Sequence, residues 1–301
     1  MPPATFHRYR AFGLEIASSF DLDPYVVAAP DEPGGAPDLR VDLGPMSDYT
    51  DGSLDLEWPG LVRVHVQDGR RLWAEDVGGV GPRGLAEMVC GPGVALALSQ
   101  RGWFVLHASA TECDEHLVAV CGHSGAGKST MAAMFAATGA RAFADDIVPL
   151  RVEGEQVTGV AGPTLAKLAS VPPAAAPFVR EVGPEAIGDK VLSAWRCAAR
   201  PGERGRLAVV VVLEDGDGVA LTPLRGQRAV SELLRHAFGL NAAGMRRQEA
   251  HLTTATAVAA RVPVVRLTRP RTLAGAADAV AAVRAALASG ALTASGPRIA
   301  W

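Results

Sequence analysis

The 301-residue chain reads as an α/β protein, a phosphate-binding core preceded by a small β-rich segment. Three observations predict this. First, an apolar run, Leu117-Val-Ala-Val-Cys121, leads into Gly122-His-Ser-Gly-Ala-Gly-Lys128-Ser129-Thr130, and a helical stretch follows from Met131 to Thr138. Strand, loop and helix in that order match G-x-x-x-x-G-K-[ST] at every fixed position. Second, residues 1–88 hold short strand-like runs separated by turn signals. Third, strand-like and helical segments are interspersed in the rest of the chain, with Leu207-Ala-Val-Val-Val-Val-Leu213 reading as a buried central strand.

Composition narrows the class. The chain is 49% hydrophobic and 20% charged with a net charge of −3, an ordinary globular profile with no basic surplus for nucleic acid. Cys90, Cys113, Cys121 and Cys197 show no C-x-x-C or Cys/His spacing, which argues against zinc. Cys121 is expected to be buried at a strand end, in keeping with a reducing compartment. The first ten residues lack the apolar core of a signal peptide, and no apolar run reaches membrane-spanning length. A cytoplasmic protein with no membrane or nucleic-acid partner is expected, and a homo-oligomer is left open.

In residues 1–88 the expected strands are Tyr9–Ile16, Asp38–Leu43, Leu61–Gln67 and Arg71–Glu75, with turns at Pro33-Gly34-Gly35, Gly44-Pro45, Asp51-Gly52, Pro59-Gly60 and Asp68-Gly69. Alternation puts Val62, Val64 and Val66 inward and leaves Arg63 and His65 out. This segment is taken as an accessory or substrate-recognition domain, and residues 89–301 as the catalytic domain. Gly91-Pro92 opens a helix that Gly102 ends. Trp103 to Ala110 reads as a strand. A tight hairpin at Asp114-Glu115 then sets His107 opposite Gly122, at the mouth of the glycine-rich loop.

The loop chemistry explains its residues. Glycines let backbone N–H groups turn toward an anion, and the following helix N-terminus adds partial positive charge. Gly122, Ser124, Gly125, Ala126, Gly127, Lys128, Ser129 and Thr130 form the expected nucleotide-binding set. Lys128 brings a point charge to the β/γ-phosphates, and the Ser129 hydroxyl is a natural Mg²⁺ ligand. The chain has only three lysines, Lys128, Lys167 and Lys190, among 29 Lys and Arg, so a lysine here is informative. A helix from Ser129 to Thr138 descends about 15 Å, Gly139 stops it, and an extended Ala140–Ala144 climbs back roughly 16 Å. Asp145 and Asp146 therefore return to the loop, where two carboxylates suit two tasks: holding Mg²⁺ and accepting a proton from an attacking hydroxyl.

Farther on, Ile147–Val152 and Gln156–Val160 suggest a hairpin around Glu153-Gly154-Glu155. Residues 161–206, rich in Pro, Ala and Gly, read as loops and short helices of a substrate lip, with Lys190 taken as a solvated loop lysine. Glu214-Asp215 ends the central strand before an Asp-Gly-Asp-Gly turn. Helices are expected near Ala229–Phe238 and Ala274–Leu287, with a strand over Val262–Leu267. Arg246-Arg247 reads as solvated, and His236 and His251 as core or surface residues.

Three stretches, Leu106-His-Ala-Ser-Ala110, Val120-Cys-Gly-His-Ser-Gly-Ala-Gly-Lys-Ser-Thr130 and Phe143-Ala-Asp-Asp-Ile147, together resemble the core of the HPr kinase/phosphorylase family. The chain looks especially like the HPr-kinase-like serine kinases of peptide-modifying systems, including those that tailor lasso-peptide precursors. Phosphoenolpyruvate carboxykinase is a more distant likeness. The resemblance implies a phosphate-loop kinase core on a mixed sheet, like the HPr kinase C-terminal domain, with ATP and Mg²⁺ as cofactors. By it, Lys128 neutralises the β/γ-phosphates, Ser129 helps hold the metal, and one of Asp145 and Asp146 is the base while the other, with His107, completes the metal or phosphate shell; of the two, Asp145 is taken as the base and Asp146 as the metal-side residue. True HPr kinases carry an acidic residue where this chain has Thr130, and a downstream Glu-x-Arg-Gly loop that it lacks. The acceptor implied is therefore a Ser or Thr hydroxyl of another small protein or peptide. A small-molecule kinase and a non-catalytic ATP-sensing module are the competing readings.

Overall fold

The computed structural model describes residues 6–29, 35–44, 54–163, 165–239 and 245–292. Strands β1 (His7–Ala11) and β2 (Leu14–Ser18) form a hairpin in which Phe12 and Gly13 both take positive φ, 52° and 73°. That left-handed pair breaks the single strand expected over Tyr9–Ile16, because two such residues reverse the chain with the twist a hairpin needs. Next come β3 (Val27–Ala28), β4 (Leu39–Leu43), β5 (Leu54–Trp58), β6 (Val62–Gln67) and β7 (Arg71–Asp76). The seven-stranded order is β3-β1-β2-β4-β7-β6-β5, with β4 parallel to both β2 and β7. Val62, Val64 and Val66 are fully buried, as alternation predicts. His65 is not outside, however. It is 1% exposed and sits directly across from Trp73, whose ring lies 5.2 Å away and covers it.

Helix α1 (Gly81–Met88) and helix α2 (Val94–Gln100) flank a break over Val89–Gly93. The helical stretch thus opens at Gly81, with Pro82 in its first turn, rather than at Gly91-Pro92. Pro92 has no N–H to give the helix, and Gly91 beside it is non-helical, with ψ −107°. Leu85, Val89, Val94 and Leu98 share a core with Ile16, Leu39, Val64 and Leu72, so both helices pack on the seven-stranded sheet.

The remaining elements are β8 (Phe104–Leu106), β9 (Ala108–Cys113), β10 (His116–Cys121), α3 (Lys128–Ala136), β11 (Arg141–Ala144), β12 (Val148–Glu153), β13 (Gln156–Val160), β14 (Leu165–Leu168), β15 (Val179–Pro184), β16 (Val191–Trp195), β17 (Arg204–Asp215), β18 (Ala220–Leu224), α4 (Gln227–Arg235), α5 (Met245–Arg261), β19 (Val264–Arg269) and α6 (Leu273–Ala288). A mixed sheet runs β11-β9-β10-β17-β13-β12-β8, and β19 then β18 extend it from the far half of β17. The twelve-residue β17 lies parallel to β10 and β19 and antiparallel to β13, the central place its apolar run implies. Alternation along β10 serves two layers. Val118 and Val120 meet Met131 of α3 and Val280 of α6, while Ala119 and Cys121 meet Leu233 of α4 and Val258 of α5. A strand covered on both faces has no polar side, which is why this one reads as a continuous apolar run.

Two expectations change. The strand over Trp103–Ala110 is split at His107 into β8, which pairs with β12, and β9, which pairs with β10 and β11. Residues 161–206 are not loops and short helices. They hold the antiparallel sheet β14-β16-β15 and a single 3-10 turn over Pro173–Phe178. Ala166, Leu168 and Trp195 pack with Ala132 and Ala136 of α3, a small core that overrides the turn-forming composition. The hairpin of β12 and β13 and the elements α4, β19 and α6 lie where expected, within the usual play at element ends. The side chains of Arg246 and Arg247 lie outside the described part of the chain. Among the described residues no helix is long and apolar enough to cross a membrane.

Candidate active site

The β9–β10 hairpin turns at Asp114 and Glu115, both left-handed at φ 48° and 64°. Its register pairs Cys113 with His116 and ends with Ala108 against Cys121, so His107 stands at the next rung, opposite Gly122. There the backbone leaves the ladder. His107 N–H donates to the His236 carbonyl at 2.7 Å, and its ring stacks on Phe238 at 5.4 Å. His107 Nε2 lies 4.0 Å from Asp146 Oδ1. Burial first, and the Lys128 charge second, push the imidazole pKa down to about 4 against the pull of Asp146, so the ring is neutral near pH 7.

After β10 the chain winds through Gly122–Gly127 into α3, with Gly125 and Gly127 at φ 76° and 93°. A side chain at Gly122 would put its Cβ 2.9 Å from that of Ala126, so only glycine lets the loop close on itself. Lys128, Ser129 and Thr130 make the first turn of α3, and Ser124 is exposed on the outer wall of the loop. Lys128 is 6% exposed, and its Nζ donates to the carbonyls of Gly122 at 3.2 Å and His123 at 3.4 Å. Burial lowers its pKa, and Asp146 and Asp145 pull the other way.

Helix α3 and strand β11 carry the chain away and back, as their lengths predict. Asp145 Oδ1 accepts the hydroxyls of Ser109 at 2.5 Å and Ser129 at 3.1 Å, while Oδ2 accepts the Lys167 N–H at 3.2 Å. Desolvation, and then the charge of Asp146, push the Asp145 carboxyl up to about 6. Asp146 takes φ 64°, a left-handed conformation that Asp tolerates better than most residues, and turns a part-open carboxylate toward His107. The structure thus gathers Lys128, Ser129, Asp145, Asp146 and His107 at one mouth.

Sequence reasoning missed several neighbours. Ser109 is a hydroxyl between two alanines, two residues along the chain from His107. Lys167 belongs to the same scarce set of lysines that singled out Lys128. Its Nζ lies 2.7 Å from Glu87 and 3.2 Å from Glu185. Lys190, taken as a solvated loop lysine, is close enough for its charge to depress both His107 and Lys128. Glu87, 3% exposed, also accepts from Tyr25 Oη at 2.9 Å and from the N–H groups of Ala186 at 2.9 Å and Ile187 at 3.2 Å. It ties the N-terminal sheet and α1 to the β14-β16-β15 sheet.

Two spaces flank the carboxylates. A cleft of about 360 Å³ is lined by His107, Gly122, His123, Ser124, His236 and Phe238. His236, expected to be a plain core or surface residue, is part of that wall. A smaller space of about 60 Å³ lies between Asp145, Asp146, Lys167, Glu87 and Tyr25. Among the described residues no three His, Cys, Asp or Glu side chains form a metal cage. Mg²⁺ needs none, since one or two carboxylates, water and phosphate oxygens complete its shell.

No family model matches the chain, and no curated protein does. Among solved structures, the HPr(Ser) kinase/phosphatase from Coxiella burnetii is similar at 13% identity, over 61% of this chain and 98% of that one, with a TM-score of 0.33.

Proposed function

We propose that the chain is an ATP-dependent kinase that transfers the γ-phosphoryl group to a Ser or Thr hydroxyl of a small protein or peptide. One observation carries the reading: Asp145 and Asp146 meet Lys128, Ser129 and His107 at the mouth of the glycine-rich loop. A module that only sensed ATP would not need a second, part-open carboxylate beside His107. In phosphoryl transfer the protein supplies mainly position and charge, and this set of groups supplies both.

The donor set fits Mg²⁺. Burial first, and the charge of neighbouring Asp146 second, raise the Asp145 pKa, so the two carboxylates repel each other, and a hydroxyl lies beside them. A bound Mg²⁺ would offset that repulsion and neutralise phosphate charge. Ser129 and Asp145 would hold it, since they already share one locus. Asp146 would act as base, because its carboxylate is part-open beside His107 while both Asp145 oxygens are engaged. These roles are the reverse of those expected from the sequence. Asp146 would take the acceptor hydroxyl proton as the new O–P bond forms and the bond to the departing ADP oxygen breaks. Neutral His107 would orient Asp146 or the acceptor without adding charge, and the loop N–H groups and Lys128 would hold the phosphates.

The cleft volume of about 360 Å³ also suits a small-molecule acceptor, which is the second reading. Incubation with γ-labelled ATP, Mg²⁺ and panels of peptides and small hydroxyl compounds tests both, with mass mapping of the product. Label on a peptide Ser or Thr supports the proposal. Label confined to a small molecule transfers support to the second reading, and ATP binding without any transfer leaves the sensor.

A further inference from the structure

The phosphate-binding role of the Gly122–Thr130 loop, on which this inference rests, leaves open what holds the loop in shape. Lys128 of its own helix holds the Gly122 and His123 carbonyls, and a second element holds the two carbonyls that follow Ser124. Strand β19 ends at Arg269, and Pro270-Arg271-Thr272 leads straight into α6. That turn is fixed on both sides. Arg269 pairs in register with Asp215 of β17, and the Thr272 hydroxyl caps α6 by accepting the Gly275 N–H at 3.0 Å.

From this turn two guanidinium groups reach the loop. Arg269 Nη2 donates to the Ala126 carbonyl at 2.7 Å, and Nη1 to the Pro270 carbonyl at 3.1 Å. Arg271 Nη2 donates to the Gly125 carbonyl at 2.6 Å, and its Nη1 lies 3.7 Å from Asp215. Arg269 is 3% exposed and its Nε has no partner, so a charged group has been buried here at a cost that nearby packing does not explain. The loop's glycine fits the same account. A Cβ on Gly127 would lie 2.6 Å from Arg269 Nη2, independently of the positive φ. Residue 127 is glycine in part because the guanidinium passes there.

The consequence follows from peptide planarity. Each carbonyl is locked antiparallel to the N–H of the next residue. Holding the Gly125 and Ala126 carbonyls on the arginine side turns the N–H groups of Ala126 and Gly127 the other way: that of Ala126 donates to the His123 carbonyl at 3.1 Å and closes the turn, and that of Gly127 is directed into the concavity of the loop. We propose that Arg269 and Arg271 are positioning residues that grip these two carbonyls from behind, and so hold the Ala126–His123 turn closed and aim the Gly127 amide at a nucleotide phosphate. Neither is placed at the reacting atoms.

The test uses the full chain with Arg269→Met, Arg269→Lys and Arg271→Met. Amide hydrogen exchange without ligand is followed in residues 122–130, β10 and α6, and the Kd for Mg-ATP is measured. Both Met variants should speed exchange in the loop alone and weaken Mg-ATP about tenfold. Arg269→Lys keeps one donor and should recover part of the loss. Arg271 is exposed, so its variant folds even where Arg269→Met does not. Unchanged loop exchange overturns the grip, as does faster exchange spread evenly over β10 and α6. Faster loop exchange with unaltered Mg-ATP affinity overturns the positioning role. Wild-type protein that binds no Mg-ATP overturns the kinase reading and that role together, while the exchange data still decide whether the grip exists.

Discussion

The Ser129 hydroxyl lies 3.1 Å from Asp145 Oδ1, so the head of α3 and the end of β11 share one locus. Asp146, one residue on, faces His107 instead. Asp146→Asn should retain Mg-ATP binding and lose transfer by about 10²–10⁴-fold, the range of a positioned base. Asp145→Asn should weaken ATP binding in the presence of Mg²⁺ more than in its absence. Titrations with and without Mg²⁺, alongside turnover, check both, and the opposite pattern would restore Asp145 as the base.

Lys128 fills a narrow place between the Gly122 and His123 carbonyls. Lys128→Arg keeps the charge but replaces a flexible point donor with a wide planar fork. Turnover should fall by roughly 10²-fold or more, on the scale of losing one preorganised charge contact. Near wild-type turnover at saturating ATP would remove Lys128 from the machinery.

His107 offers a neutral ring stacked on Phe238. His107→Phe preserves the stack and removes the nitrogen facing Asp146. Thermal unfolding should barely move, while turnover drops about 10- to 100-fold, at or just below the usual range for a proton-handling side chain. An equal effect on stability and turnover would mark the residue as packing alone.

Glu87 sets a pH dependence of stability. Burial by itself would raise its pKa, but the Lys167 hydrogen bond and charge, with Tyr25 and the Ala186 N–H, hold the carboxyl below the usual range. A depressed folded pKa stabilises fully above the unfolded value of about 4.3 and is lost as pH falls through the folded value. Glu87→Gln should cost about 2–3 kcal/mol at pH 7, since Lys167 keeps only Glu185. In denaturant titrations the gap between variant and wild type should close toward pH 3, and a gap constant with pH would refute the assignment.

Much of the core was legible in the sequence because local geometry dictates it. A two-residue turn at Asp114-Glu115 places His107 opposite Gly122 whatever packs around it, and the helix-and-strand excursion returns Asp145 by length alone. What stayed hidden depends on distant contacts. The burial of His65 rests on a cross-strand Trp73. The β14-β16-β15 sheet rests on a core shared with α3. Lys167 and Arg269 reach their partners from 80 and 143 residues away, separations that no local pattern encodes. Which of Asp145 and Asp146 has both oxygens engaged was equally out of reach, because it depends on Ser109 and Lys167.

Glu87 also bears on how such a chain can be cut or recombined. It lies on the N-terminal side of any break made after Met88, while Lys167 and the Ala186 and Ile187 amides lie on the other. A fragment starting at residue 89 would keep the phosphate loop and both aspartates yet strand an ammonium group that had shared two carboxylates. Splicing a foreign first half onto this second half would meet the same demand. Glu87 and Lys167 are therefore physically coupled, and the β-rich segment supplies one half of an ion pair whose other half lies beside the site.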